Sequence, residues 1–273
     1  MITANGKNII KRFHARQIGQ IGGSLAFGVG STAPTVNDTR LGYEVLRVPI
    51  QSVNVDPASD RIVFRVELQP RQIKTIYEVG LWSGQFVGLE GLRISNGEGL
   101  PVTWNNGTVT NQNARAYSNT IQINYVANGT TNADLSGFAV DASQFTDIDS
   151  LVVGYYATVN LSSVRVRLGT DSSNYYEFVL PAPIANSYNV ARVTRSAATK
   201  VGSPAWNNLT YMAVRPSATG AGSGSIFFDG MRFEPNNMAE ANLLVARSVL
   251  STPHSPDVDI VSDVEYSLRI NIT

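Results

Sequence analysis

Beyond Asn237 the chain holds only two strand-like runs, NLLVARSVLSTP (242–253) and DVEYSLRINI (263–272), joined by the loop HSPDVD. Two strands alone are marginal in water, and these two are too apolar to stand by themselves. They need a sheet to join, and their sequence neighbours supply none. The run with a matching deficit lies far upstream. IYEVGLWS (76–83) reads as a strand that lacks partners, and at Ser83-Gly84-Gln85 it passes without a linker into a glycine-spaced segment of different texture. The two gaps fit each other. The chain leaves a sheet near Gly84, builds something else, and returns near Asn237 to complete the sheet it left. Such insertions are tolerated where the ends of the inserted domain lie close together.

The intervening segment has its own signature. Charges thin out from Gln85, and Asn/Gly/Ser/Thr turns recur roughly every 8–12 residues, the spacing of a β-sandwich. TIQINYVA, SLVVGYYATV, SSVRVRLGT, NYYEFVLPA, LTYMAVRPS and GSIFFDGMRF read as its strands. The glycine-rich ATGAGSGS (218–225) is a hairpin loop; it lacks the Lys-Ser/Thr of a phosphate loop. Asn106-Gly107-Thr108, Asn128-Gly129-Thr130 and Asn208-Leu209-Thr210 read as turns.

Ahead of the insertion, positions 4–16 form the best helix candidate. Ile9, Ile10 and Phe13 share one face, with Lys7, Lys11 and Arg12 outside it, and Gly6 weakens the pattern. LAFGVG (25–30) is a short strand. LGYEVLRVPIQSVNVD (41–56) reads as one long strand, paired through the turn at Asp56–Asp60 with RIVFRVELQ (61–69). The expected architecture is therefore mainly β. A small α+β domain, one N-terminal helix plus an antiparallel sheet, spans 1–84 and 239–273, and a β-sandwich jelly roll is inserted over 85–238.

Composition narrows the function classes. The 273 residues carry 21 basic and 21 acidic side chains, so no charge footprint for nucleic acid emerges. No apolar run approaches the roughly 20 residues that cross a bilayer, and MITANGKNIIKRF lacks the features of a secretory signal. Cysteine is absent, which suits a reducing cytosol. With two histidines and no cysteine, a transition-metal centre is not expected. No G-x-S-x-G elbow occurs. Asp147-Ile148-Asp149 offers two carboxylates, the raw material of glycoside cleavage, but reads as a solvated loop. No enzyme is expected.

The segment DTRLGYEVLRVPIQSVNVDPASDRIVFRVELQPRQIKTIYEVGLWSG resembles the N-terminal domain of bacteriophage tail-collar and tail-fibre proteins. Leu41, Glu44, Arg47, Pro49, Ile50, Ile76, Glu78, Gly80 and Leu81 carry the likeness. In such domains the E-x-G-L strand is soon followed by strands like LVARSVLSTP and V-x-Y-x-L-x-I. Here they come about 155 residues later, which implies the insertion. Within the insert, WNNLTYMAVRPSATGAGSGSIFFDGMRFE resembles the closing strands of a carbohydrate-binding-module-like jelly roll, and GLEGLRISNGEGLPVTW its opening strands. Fold alone does not fix function.

What the resemblance implies is a non-enzymatic virion component, assembled in the host cytoplasm. Its first domain would attach to tail, collar or neck, and its jelly roll would face outward toward host-surface polysaccharide. Decoration or cement of neighbouring capsid or tail subunits is the alternative. Other virion proteins are the expected partners, with a homo-oligomer, foremost a trimer. No nucleic acid partner and no membrane insertion are expected. No cofactor is required. The one ion the resemblance implies is a structural calcium held by Glu90 and Asp229, completed by backbone carbonyls. Sugar contacts would fall to exposed aromatics. Tyr155-Tyr156 and Tyr175-Tyr176 each place one ring on either sheet face, and Tyr188 sits near a loop. Trp104 and Trp206 read as plugs of the sandwich ends. Glu44 and Arg47 read as a sheet-edge ion pair or a subunit contact.

Overall fold

The computed structural model describes residues 1–59, 61–70, 73–84, 92–95 (backbone only), 104–135, 138–218, 222–236, 243–257 and 259–269. The chain divides into two compact units, Met1–Leu89 with Met238–Thr273, and Glu90–Asn237. The first opens with helix α1 (Ala4–His14) and strands β1 (Ser24–Gly28), β2 (Glu44–Pro49), β3 (Ser52–Asp56), β4 (Arg61–Leu68) and β5 (Ile76–Trp82). The second holds β6 (Leu92–Ser95), β7 (Trp104–Asn105), β8 (Thr108–Thr110), β9 (Thr120–Tyr125), β10 (Ala133–Leu135) and β11 (Ser150–Ala157). It continues with β12 (Ser163–Asp171), β13 (Asn174–Leu180), β14 (Ser187–Thr194), β15 (Thr199–Val201), β16 (Tyr211–Ser217) and β17 (Gly224–Glu234). Strands β18 (Leu244–His254) and β19 (Ser262–Arg269) return to the first unit.

In the first unit the late strands complete two sheets, where one had been expected. A four-stranded sheet runs β18-β5-β1-β2 and a three-stranded sheet runs β19-β4-β3. The reason lies at Pro49-Ile50-Gln51. Ile50 N donates to Gly23 O beside β1, while Gln51 N donates to Arg65 O on β4. Neighbouring residues are thus bonded to different sheets, and the run 41–56 is two strands. Pro49 ends the first because it has no N–H to continue a ladder. The β3–β4 hairpin closes as expected, with Asp56 accepting from Ala58 N. Its β4 alternates cleanly: Phe64, Val66 and Leu68 are buried, and Arg65 and Glu67 are exposed.

Helix α1 is capped by Thr3, whose Oγ1 accepts from Gly6 N at 2.9 Å. It ends at His14, two residues short of the expected limit, and Arg16 takes a φ of 57°. Ile9 is buried, but Phe13 is 38% exposed and does not share its environment. Gly6, which weakened the sequence pattern, is what seats the helix. A Cβ there would lie 1.9 Å from Val245 O, so only glycine lets α1 approach the backbone of β18.

Of the residues quoted for the tail-collar likeness, Glu78 centres a buried network. Glu78 on β5 is 0% exposed. Its carboxylate accepts from Gly30 N, Tyr43 N and Gly42 N, each at 2.9 Å, and from Arg247 Nε at 2.8 Å. Arg247, on β18, also reaches Asp38 Oδ2 at 2.8 Å and Thr32 O at 3.0 Å. The exit and return of the chain are stitched together as well. Ser83 N donates to Leu243 O, and Leu243 N donates to Ser83 Oγ. Glu44 and Arg47 form the edge ion pair, through two bonds of 2.8 and 2.9 Å, and Arg47 lies 3.8 Å over the Trp82 ring.

The second unit is a β-sandwich of jelly-roll type. One six-stranded sheet runs β15-β13-β12-β16-β10-β7, and the other runs β14-β11-β17-β9-β8 with β6 also paired to β17. Its core draws Val164, Val166, Leu168 and Phe178 from the first sheet and Ile123, Leu151, Val153, Phe228 and Phe233 from the second. Leu92 pairs with Phe233, so the first and last strands of the unit are neighbours. Near its end β17 carries Glu234, gripped by Arg192 Nη1 at 2.5 Å and Arg232 Nε at 2.7 Å. Burial alone would raise this carboxyl, but the two guanidiniums outweigh it and hold the pKa near 2, down from 4.5. A depressed carboxylate stabilises the fold above its unfolded pKa and loses that contribution as pH falls. The sandwich is expected to lose on the order of 3 kcal/mol between about pH 4.5 and pH 2. In Glu234→Gln that loss should already be present at neutral pH, and the variant should lose less stability than the parent across the same window in denaturant titrations, its remaining slope coming from other depressed carboxyls such as Asp149.

Candidate functional site

Side chains for sugar contact must be exposed, and the five tyrosines are distributed otherwise. Tyr155 faces the core, stacks on Phe228 at 6.0 Å and donates to Pro181 O at 2.8 Å. Burial pushes its pKa up to about 12. Tyr176 lies flat on Trp206 at 3.7 Å and donates to Pro204 O. Tyr175 is on the opposite face, buried beneath the Arg167 guanidinium at 4.2 Å. Tyr188 is buried and donates to Asp229 Oδ2 at 2.9 Å. Tyr156 alone is half-exposed, with its hydroxyl on Asn186 Oδ1. The alternation within each pair is as expected, but the five do not assemble into a stacking platform. Trp104 and Trp206 pack on the sandwich core.

Asp229 sits at the bulge where the β11–β17 register shifts, and it is 0% exposed. Its carboxylate accepts from Arg115 N at 2.8 Å, Ala116 N at 2.7 Å, Tyr117 N at 3.4 Å and the Tyr188 hydroxyl. Burial pushes its pKa up, against the pull of these four donors. Every donor directs a hydrogen at the oxygens a cation would need, so this carboxylate does not fit calcium. Its role is to pin the loop between β8 and β9 onto the sheet. Glu90, the other residue of the expected calcium pair, lies outside the described residues. Nor do Asp147 and Asp149 form a reactive pair. Asp149 is buried and accepts from Thr146 N and Asn236 N, while Asp147 is exposed beside Arg195 at 3.8 Å.

A concave feature that sequence reasoning missed lies at one edge of the sandwich. It is an open groove of about 700 Å³, lined by Asn106, Thr108, Gln122, Asn124, Thr130 and Asn132, with Val126 beside them. The tight turn that carries the chain from β7 in one sheet to β8 in the other forms one wall, with Asn106 at a φ of 60°, which asparagine tolerates better than most residues. Gln122 and Asn124 project from β9 on the same face, two residues apart. Gln122 Nε2 donates to Asn124 Oδ1 and Ser225 Oγ, which fixes both amides. Asn132 is held by its bond to Asp134 Oδ1, and its backbone carbonyl accepts from Asn106 Nδ2. Among the described residues, no hydrogen bond engages the Asn124 amide nitrogen or the Gln122 side-chain carbonyl. The lining is uncharged and offers both donors and acceptors, the pattern that vicinal hydroxyls satisfy. Its volume lies within the usual range for a small-molecule site.

No protein-family model matches the chain, and no curated protein matches it. Solved structures do. One is a family 11 carbohydrate-binding module from Clostridium thermocellum in complex with a β-1,3-1,4-mixed-linked tetrasaccharide; it is 8% identical over 55% of this chain and 98% of that one, with a TM-score of 0.40. A carbohydrate-binding module specific for non-crystalline cellulose is 13% identical over 56% and 99%, with a TM-score of 0.36. An exo-β-agarase is 9% identical over 55% of this chain but only 25% of its own, with a TM-score of 0.40. The sugars named there belong to those proteins.

Proposed function

We propose that this chain is a non-enzymatic structural component of a bacteriophage particle. Its first unit attaches it to tail, collar or neck, and its β-sandwich binds a neutral host-surface saccharide in the amide-lined groove. The observation that carries the binding reading is the groove itself, uncharged and rimmed by fixed amides and hydroxyls. The attachment reading rests on the tail-collar likeness of Leu41 through Leu81, whose Glu78 is bonded by Arg247 from the returning strand β18. A groove with one apolar side chain and little enclosure binds a single sugar weakly. Many copies on one particle gain retention through avidity.

The test presents the full chain at high density on beads against a panel of bacterial surface polysaccharides. Retention of a neutral polysaccharide is expected, falling about tenfold or more in Gln122→Ala/Asn124→Ala, whose melting temperature should stay within a few degrees of the parent. Retention unchanged by that double variant would place sugar binding elsewhere. No retention of any polysaccharide would favour the decoration role. Electron microscopy of assembled particles with antibody against the chain tests the attachment reading separately.

A further inference from the structure

The apolar face of the three-stranded sheet does not end where its cover ends. Phe64 and Tyr266 are buried on it, but the same cross-strand rows run on to Val53 and Val55 of β3, which are 51% and 73% exposed. Strand β3 is also the free edge of that sheet. Among the described residues its only strand partner is β4. An exposed apolar edge strand is a template for another strand.

The residues of β3, Ser-Val-Asn-Val-Asp, are nearly symmetric about Asn54. We infer that β3 pairs antiparallel with β3 of a second copy of this chain, on a two-fold axis through Asn54. That register sets Val53 opposite the second copy's Val55, and Ser52 opposite its Asp56. Each apolar row then continues across the axis: Tyr266, Phe64 and Val53 of one copy meet Val55, Ile62 and Leu268 of the other. The polar face is complementary too. Arg65, opposite Ser52 and paired with Glu265, comes within one strand of the other copy's Asp56. No like charges stand directly opposite across the axis. Such a contact is isologous and closes as a dimer. The two three-stranded sheets become one of six strands.

The chain has no cysteine, so a single introduced thiol reports this register cleanly. Residues directly opposite in an antiparallel pair have Cα atoms about 4.5–5.5 Å apart, within disulfide reach. Asn54→Cys in the full chain is expected to give a covalent dimer on mild oxidation. The parent chain is expected to sediment as a monomer–dimer mixture between about 1 and about 100 μM. Val53→Lys/Val55→Lys, on two already exposed side chains, should shift it to monomer throughout, with the parent's melting temperature at concentrations where the parent is monomeric. A parent that stays monomeric, a trimer, or an oligomer indifferent to the lysines and uncrosslinked through position 54 would overturn the inference.

Discussion

Replacing Arg247 with methionine is expected to destabilise the first unit by about 3–5 kcal/mol and to leave the sandwich untouched. Among the described residues the guanidinium is the one countercharge of Glu78, which has no solvent exposure. Without it, the three backbone N–H groups of Gly30, Gly42 and Tyr43 still solvate the carboxylate, but the charge is stranded. Asp38 and the Thr32 carbonyl lose their donor in the same step. Methionine keeps much of the side-chain volume, so the loss reports charge and hydrogen bonding rather than a cavity. Arg247→Lys should fall between the two, because an ammonium cannot serve Glu78, Asp38 and Thr32 with the same planar fork. Scanning calorimetry reads the outcome: the transition of the first unit should move down while that of the second stays in place. Equal movement of both, or of neither, would refute the account.

Asp229→Ala is expected to cost the second unit a similar amount, about 3–5 kcal/mol. It removes the acceptor for the Arg115, Ala116 and Tyr117 amides and for the Tyr188 hydroxyl in a site closed to water. Asp229→Asn should be nearly as damaging, since its NH₂ would face donors. The companion expectation separates this account from a cation site. Neither added calcium nor a chelator should change the melting temperature of the parent. A calcium-dependent rise that Asp229→Ala abolishes would mean the carboxylate coordinates an ion.

The strand pattern of the chain was largely readable. β4, β12 and β13 follow period-two alternation, and the deficit of the last two strands pointed to partners far upstream. β18 does lie beside β5. The division of 41–56 between two sheets was not read, because Pro49, the one break signal there, is flanked by Val48 and Ile50 and followed directly by no Gly, Asn or Asp that would mark a turn. The handover consists of two backbone bonds to different strands. β7, β8, β10 and β15 are two or three residues long, too short to show a period. The groove was hidden for another reason. Its Asn, Thr and Gln look in sequence like turn and edge residues, and only the meeting of β9 with the turn between β7 and β8 makes them a surface. The partners of Asp229 are backbone amides, which no residue type announces.

The bond between Glu78 and Arg247 spans 169 positions of chain. During synthesis the early strands of the first unit leave the ribosome long before the residue that closes them. The sandwich is contiguous, and its first and last strands pair, so it can fold in that interval. Once folded, it replaces a loop of about 160 flexible residues by two short connectors, which on chain-entropy grounds lowers the closure cost between Ser83 and Leu243 by on the order of 2 kcal/mol. The later domain in the sequence thus acts as the folding scaffold for the earlier one. Sandwich variants that fold slowly should yield chains whose first unit is cleaved by protease before release, even though none of its own residues has changed.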